Sequence, residues 1–121
     1  MVEGISPGRL GERIAADYLR LRGWRILGRN VRAGRCEIDL IGAERGCLVF
    51  VEVKMRRGGA FGGAVEAIGT RKMSNIRKAA RHYLAGGGVR FPYREIRFDL
   101  VAIDLDRGGE GMVIRHLKGI V

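Results

Sequence analysis

Two carboxylates and a lysine occur in the most hydrophobic part of the chain, where charged side chains are unusual. Asp39 lies in the string Glu-Ile-Asp-Leu-Ile over residues 37–41, and Glu52 and Lys54 lie in Val-Phe-Val-Glu-Val-Lys over residues 49–54. Apolar and β-branched residues dominate both strings, which predicts two strands. Carboxylate oxygens suit Mg²⁺ or Mn²⁺, and a lysine beside such an ion can orient a water or stabilise charge on a phosphate.

A hairpin between these strands would bring the charged groups together. We assume that Gly42 pairs with Cys47 across a four-residue loop. Asp39 and Glu52 then become diagonal neighbours, about 7–8 Å apart. Two carboxylates this close repel each other unless a proton, a basic group or a metal lies between them. We therefore predict Mg²⁺ or Mn²⁺ between Asp39 and Glu52, with Lys54 next to the ion.

The alternating pattern also assigns faces to the hairpin. One face carries five aliphatic side chains and must be buried: Ile38, Leu40, Val49, Val51 and Val53. A second interpretation makes Glu52 and Lys54 a simple ion pair on a solvated edge, because such strings are common in charged sequences. Their apolar neighbours argue against a solvated edge. Glu37 is assigned to the rim of the site.

A third carboxylate, Glu12, lies on a predicted first helix. It shares a face with Ala15, Ala16 and Leu19, so it points partly toward the apolar side. A glutamate in a first turn also interacts well with the helix dipole. From the residues alone, the dipole explanation is preferred until something connects this helix to the hairpin.

The elements that must position these groups follow in the order α-β-β-β-α-β-β, an α/β domain with a mixed sheet. Ser6 is the expected N-cap of the first helix, Pro7 its first residue, and Gly23 its end. The predicted remaining elements are strands at 24–27, 37–42 and 47–54, a helix at 71–85, and strands at 95–105 and 111–117.

Length, composition and charge narrow the function further. The 121 residues indicate one domain over 1–121, with 46% hydrophobic and 30% charged residues. No apolar run approaches the roughly 20 residues of a spanning helix, so we expect no membrane association and a cytoplasmic protein. The formal net charge of +10 favours a polyanionic partner, most simply nucleic acid. Cys36 and Cys47 show no zinc spacing.

Basic residues are concentrated after the hairpin, and a glycine-rich loop follows at residues 56–63. We predict phosphate contacts that carry affinity without sequence readout. A solvated charged face is the alternative. The candidate nucleic-acid-binding residues are Arg56, Arg57, Arg71, Lys72, Lys78 and Arg81.

An ordered set of strings resembles a known family over most of the chain, from Gly8 to about Asp104. The strings are Gly11-Glu12 with Ala15-Ala16 and Tyr18-Leu19, Glu37-Ile38-Asp39-Leu40-Ile41, Val49-Phe50-Val51-Glu52-Val53-Lys54 with Arg56, Phe61-Gly62, Glu66-Ala67, Lys72, Tyr83-Leu84 and Arg97-Phe98-Asp99. They resemble the YraN-like uncharacterised bacterial family, a relative of archaeal Holliday junction resolvases. The resolvases belong to the nuclease superfamily with the restriction-endonuclease-like fold, so the resemblance implies this fold for the chain.

The resemblance implies a metal-dependent nuclease core. It makes Asp39 and Glu52 the ligands of Mg²⁺ or Mn²⁺, Lys54 the catalytic lysine, and Glu12 the helix-one glutamate of the site. It also implies DNA as the partner and a possible homodimer. Three positions depart from the family pattern: Cys36, where a glycine is common, and Ser74 and Asn75, where basic residues are common.

The sequence thus predicts a Mg²⁺-dependent DNA endonuclease and leaves open whether it selects branched structures. The competing hypothesis is a binding module that uses a nuclease fold to hold nucleic acid without cutting it. A third hypothesis is a basic protein that associates with RNA or the ribosome.

Overall fold

The predicted order of helices and strands is present in the computed structural model, which describes residues 7–58, 63–66, 70–87 and 91–121. Its elements are α1 (Pro7–Leu21), β1 (Arg25–Ala33), β2 (Cys36–Glu44), β3 (Cys47–Arg57), α2 (Gly63–Glu66), α3 (Thr70–Ala85), β4 (Glu95–Leu105) and β5 (Met112–Leu117). The mixed α/β class is therefore confirmed, with α2 as a short addition. The expected cap Ser6 and residues 59–62 of the glycine-rich loop lie outside the described residues.

The five strands form one mixed sheet in the order β1-β2-β3-β4-β5. Neighbouring strands are antiparallel except β3 and β4, which run parallel over eleven residue pairs. A parallel pair needs a long crossover connection, and the segment that contains α2 and α3 provides it. The two strands of the predicted site are thus held between β1 and β4, in the middle of the sheet.

The two long helices cover opposite faces of the sheet. Under α1 lies a cluster of buried side chains that includes Ala15, Ala16, Leu19, Leu40 and Val51. The cluster under α3 includes these buried or half-buried side chains: Ile38, Ile41, Phe50, Ile76, Ala79, Ala80 and Tyr83. Among the described residues, no helix is long and apolar enough to cross a membrane.

The β2–β3 hairpin is tighter than predicted. Its loop is the two-residue turn Arg45-Gly46, with φ values of 47° and 82°, which matches the left-handed turn that closes two-residue hairpins. Gly42 consequently pairs with Val49 rather than with Cys47. The expected register is wrong by two residues, but a shift of two leaves every side chain on its original face.

The β1 strand is longer than the four residues predicted, and it changes the faces of the neighbouring strand. Asn30 has a left-handed φ of 51° in mid-strand, between the pairs Arg29–Leu40 and Val31–Ile38. A left-handed residue within a strand redirects the side chains around it, although the pairing stays one-to-one here and the register shift of β1 lies between Ile26 and Gly28. Leu40 consequently packs under α1 and Ile38 under α3, so the expectation that both share one buried face is wrong.

Candidate metal centre and active site

Asp39 lies where the pairing of β2 with β3 stops. The last pair is Leu40 with Val51, and the next residues along the two strands are Asp39 and Glu52. Asp39 Oδ2 accepts a hydrogen bond of 2.9 Å from the main-chain N–H of Val53. A carboxylate thus satisfies a strand N–H at the point where the ladder is interrupted, and the side chain is fixed there.

Helix α1 brings Glu12 to the same point because it packs very closely on β3. A Cβ added to Gly11 would lie 3.2 Å from the Cβ of Met55, so only glycine allows this approach without displacement. The next residue, Glu12, is 8% exposed. The connection between α1 and the hairpin, which the sequence left open, is therefore a direct helix–sheet contact.

Three carboxylates converge at this contact. Glu12, Glu37 and Asp39 each offer an oxygen, and these oxygens lie within 4.8 Å of one another. They come from α1 and from alternate positions of β2. Glu37 is the exposed member of this group, and the Glu-Ile-Asp spacing puts residues 37 and 39 on one side of a strand.

The electrostatics of Glu12 show how unfavourable this grouping is without a cation. Burial, followed by the neighbouring charge of Asp39, raises the pKa of Glu12 to about 7, although a hydrogen bond from Asn30 opposes the rise. Its Oε1 is buried and has no hydrogen-bond partner among the described residues. An unsatisfied buried carboxylate oxygen next to two other carboxylates is the arrangement that a cation would complete.

Two clefts meet at Asp39 and Glu52. The first, of about 290 Å³, opens beside α1 and is also lined by Glu12 and Lys54. The second, of about 320 Å³, opens beside α3 and is also lined by Glu37. The structure therefore places Glu12, Asp39, Glu52 and Lys54 around one cleft, and Glu37 behind Asp39. Their chemical roles stay predictions.

The donor set fits a hard divalent cation. Only carboxylate oxygens converge, with no cysteine or histidine in the group of three, and oxygen-only sets suit Mg²⁺ or Mn²⁺. Glu52 lies outside that group but lines both clefts with Asp39. Lys54 is half-buried and forms no ion pair within the described part of the chain. The second interpretation, a Glu52–Lys54 pair on a solvated edge, does not match this environment.

The predicted nucleic-acid-binding residues are spread over two elements. Arg56 and Arg57 are exposed at the end of β3, where Arg56 Nη1 donates to the carbonyl of Gly63 at 3.4 Å. Lys78 and Arg81 are exposed on α3. The backbone of Arg71 and Lys72 belongs to α3 as well, but their side chains lie outside what the structure describes.

A second charge cluster, centred on Asp99, was not predicted from the sequence. Asp99 is fully buried and accepts hydrogen bonds of 2.8 Å from Arg97 Nε and Nη2. His116 Nε2 lies 2.7 Å from Asp99 Oδ2. Burial alone would raise the pKa of Asp99, but His116 and Arg97 together hold it below its usual value. Because these bonds satisfy Asp99, this cluster is a structural element that joins β4 to β5.

Comparison with known proteins agrees with the resemblance seen in the sequence. The model of the family described as "Uncharacterised protein family UPF0102" matches residues 11–103. A UPF0102 protein of Syntrophotalea carbinolica is 42% identical over 115 residues, which cover 95% of this chain and 90% of that protein. One from Rhodococcus jostii is 40% identical over 118 residues, 98% of each chain. The chain therefore belongs to the UPF0102 family.

Proposed function

We propose that the protein is a metal-dependent nucleic-acid hydrolase, most simply a DNA endonuclease with a preference for branched substrates. The observation that carries the proposal is the convergence of Glu12, Glu37 and Asp39 beside Glu52 and Lys54, where one buried Glu12 oxygen has no hydrogen-bond partner in the described part of the chain. A structural core gains little from such a group, because carboxylates this close repel one another and the buried Glu12 carboxylate is costly to desolvate. The arrangement is explained by a ligand that the acidic group binds.

The residues divide into two roles. Asp39 and Glu12, with Glu37 and Glu52 as the further oxygen donors, hold Mg²⁺ or Mn²⁺. When bound, such an ion would lower the pKa of a coordinated water and offset charge on a phosphate. Lys54, in the same cleft, orients the attacking water and donates to a non-bridging phosphate oxygen. The Val53 N–H fixes Asp39 in place.

The charge of the chain supports nucleic acid as the substrate. The net charge is +10 although the acidic group itself contributes several negative charges, so basic side chains dominate the remaining surface. These contacts would supply affinity through phosphates without selecting a sequence. The same proposal includes a homodimer with two sites for two strands, and a cytoplasmic location in which the free thiols of Cys36 and Cys47 persist.

Cleavage assays test the proposal directly. Four-way, flapped and linear DNA are incubated with Mg²⁺ or Mn²⁺ and the wild-type protein, Glu52→Gln or Lys54→Met. Glu95→Gln is the matched control, because it removes an exposed carboxylate at the far end of the sheet. We expect both site variants to lose about a hundredfold or more of the rate, and the control to retain it. Unchanged cleavage in both site variants would show that this is not the active site.

A non-catalytic nucleic-acid-binding module is the second candidate, favoured by the +10 charge, which does not depend on the acidic group. Titration calorimetry with Mn²⁺ separates the two. The hydrolase requires metal uptake that Asp39→Asn weakens. Salt-sensitive DNA binding with neither metal uptake nor cleavage identifies a binding module, and stronger binding to structured RNA than to duplex DNA redirects the proposal to RNA.

A further inference from the structure

A third cleft, larger than the other two, lies between α1 and β1 and shares Glu12 with the acidic site. It has a volume of about 540 Å³ and is lined by Arg9, Glu12, Arg13, Arg29 and Asn30. Three of these five side chains are guanidinium groups. The basic surface that the sequence analysis singled out, on α3 and the end of β3, does not include any of them.

The side chains that line this cleft come from α1 on one side and from β1 on the other. Arg9 and Arg13 are four residues apart on α1, so they lie on one face of the helix, and both are exposed. On β1, neighbouring residues normally point to opposite faces. The left-handed φ of Asn30 breaks that rule, which lets Arg29 and Asn30 line the same cleft.

We propose that this α1–β1 cleft binds the phosphate backbone of a DNA strand and leads it to the acidic site. The substrate class rests on the proposed function, but the binding itself needs no cleavage. Guanidinium groups form two parallel hydrogen bonds to phosphate oxygens. Three of them on one concave surface give it a positive potential that attracts an anion.

Glu12 limits where the phosphates can lie. It is the acidic wall of the cleft, and it also lines the cleft that contains Asp39 and Lys54. A strand that follows the arginines consequently reaches the carboxylates at Glu12, where a bound cation offsets their charge. The other acid on the exposed side of α1, Asp17, is bonded to Arg20 at 3.3 Å and does not line the cleft.

The cleft beside α3 offers less to a phosphate. Its lining includes a single guanidinium, from Arg35, together with Glu37, Asp39 and Glu52. We therefore expect the α1–β1 cleft to hold the phosphates nearest the acidic site. Lys78 and Arg81, exposed on α3, would make the weaker and more distant contacts.

Fluorescence anisotropy with labelled four-way and duplex DNA in EDTA tests this inference without any cleavage. The test variant is Arg13→Gln with Arg29→Gln. The matched control is Arg20→Gln with Arg32→Gln, which removes the same charge from exposed positions of the same two elements. We expect the test variant to raise Kd by about tenfold or more and to lower the slope of log K against log salt by about 2. The control should change Kd by less than about threefold.

Two outcomes would overturn the inference. Equal loss of DNA affinity in the test and control variants would show that only overall charge matters. A larger loss of affinity in Lys78→Gln with Arg81→Gln would show that the DNA strand binds along α3 instead. Circular dichroism and the fluorescence of Trp24, the only tryptophan, establish that each variant is folded. If the wild type never cleaves DNA but the test variant alone loses affinity, the hydrolase proposal fails and the cleft assignment stands.

Discussion

Replacing Glu12 with glutamine should stabilise the metal-free protein. The Glu12 carboxyl is 8% exposed, lies within 4.8 Å of two other carboxylates and has an unsatisfied oxygen. In EDTA, nothing offsets this arrangement, so the charged form of the side chain opposes folding. Glutamine has a nearly identical shape without the charge, and its amide can donate to the remaining carboxylates.

The size of the effect follows from the pKa. The pKa of Glu12 is about 7 in the folded protein, against 4.5 for an ordinary glutamate. The folded state therefore binds more protons than the unfolded state between these values, and stability falls as pH rises through this window. At about 1.4 kcal/mol per pH unit, the total reaches about 3 kcal/mol above pH 7. Glu12→Gln removes this loss.

Urea denaturation in EDTA at intervals between pH 4.5 and 8 measures the prediction. The difference between wild type and Glu12→Gln should grow through this range and level off toward pH 8. Subtracting the two curves cancels the contributions of titrating groups that do not interact with Glu12, and leaves those of Glu12 and of Asp39, whose charge acts on it. Glu95→Gln, an exposed carboxylate on β4, should not change the pH dependence. A wild-type curve parallel to that of Glu12→Gln would refute the electrostatic reasoning.

Three further predictions concern the framework, and urea denaturation at pH 7 in EDTA checks each. Asp39→Ala should be less stable than Asp39→Asn by about 1–3 kcal/mol, because alanine leaves the Val53 N–H without its acceptor; equal stabilities would contradict this. Asp99→Asn should cost about 1–3 kcal/mol, since it removes a carboxylate that accepts two bonds from Arg97 and contacts His116, while Glu44 still pairs with Arg97. Because its pKa is lowered, the stability from Asp99 is present at neutral pH and is lost as pH falls below about 4, a loss that Asp99→Asn should not show. Gly42→Ala should cost about 1–3 kcal/mol and shift Trp24 fluorescence, because the new Cβ would lie 2.7 Å from the indole; an unperturbed emission spectrum would exclude that contact.

Most of the fold could be predicted from local patterns. Helical spacing gave α1 and α3, and alternation gave the four strands from β2 to β5. The hairpin register was wrong by two residues, an error that keeps the side-chain alternation along β3. The grouping of Asp39, Glu52 and Lys54 on one side stays a prediction, and Asp39 borders clefts on both sides of the sheet. A register error of two residues does not change which side chains share a face of the predicted hairpin. An error of one residue would have put Asp39 and Glu52 on opposite faces.

The sequence predictions that were wrong or missing concern features that depend on contacts between residues distant in sequence. Nothing local indicates that Asn30 takes a left-handed φ in a strand, although asparagine tolerates it better than most residues. The predicted β1 ended at Leu27, where a register shift between Ile26 and Gly28 interrupts the pairing, and Ile38, whose face changed, pairs with Val31 beside Asn30. Likewise, His116 meets Asp99 only because β5 returns beside β4. A pairing of this kind appears only in the folded sheet.

The acidic site and the irregular sheet are one structural feature. In a regular antiparallel ladder, the Val53 N–H would be bonded by a main-chain carbonyl, and the Asp39 side chain would point to a single face. Here the ladder ends at Leu40–Val51, the side chain of Asp39 takes the acceptor role, and Asp39 borders clefts on both sides of the sheet. A change that restored regular pairing at Asp39 would therefore stabilise the sheet and separate the carboxylates. The strand pairing lost at Asp39 costs stability, and its absence allows carboxylates from α1 and β2 to converge on one cation.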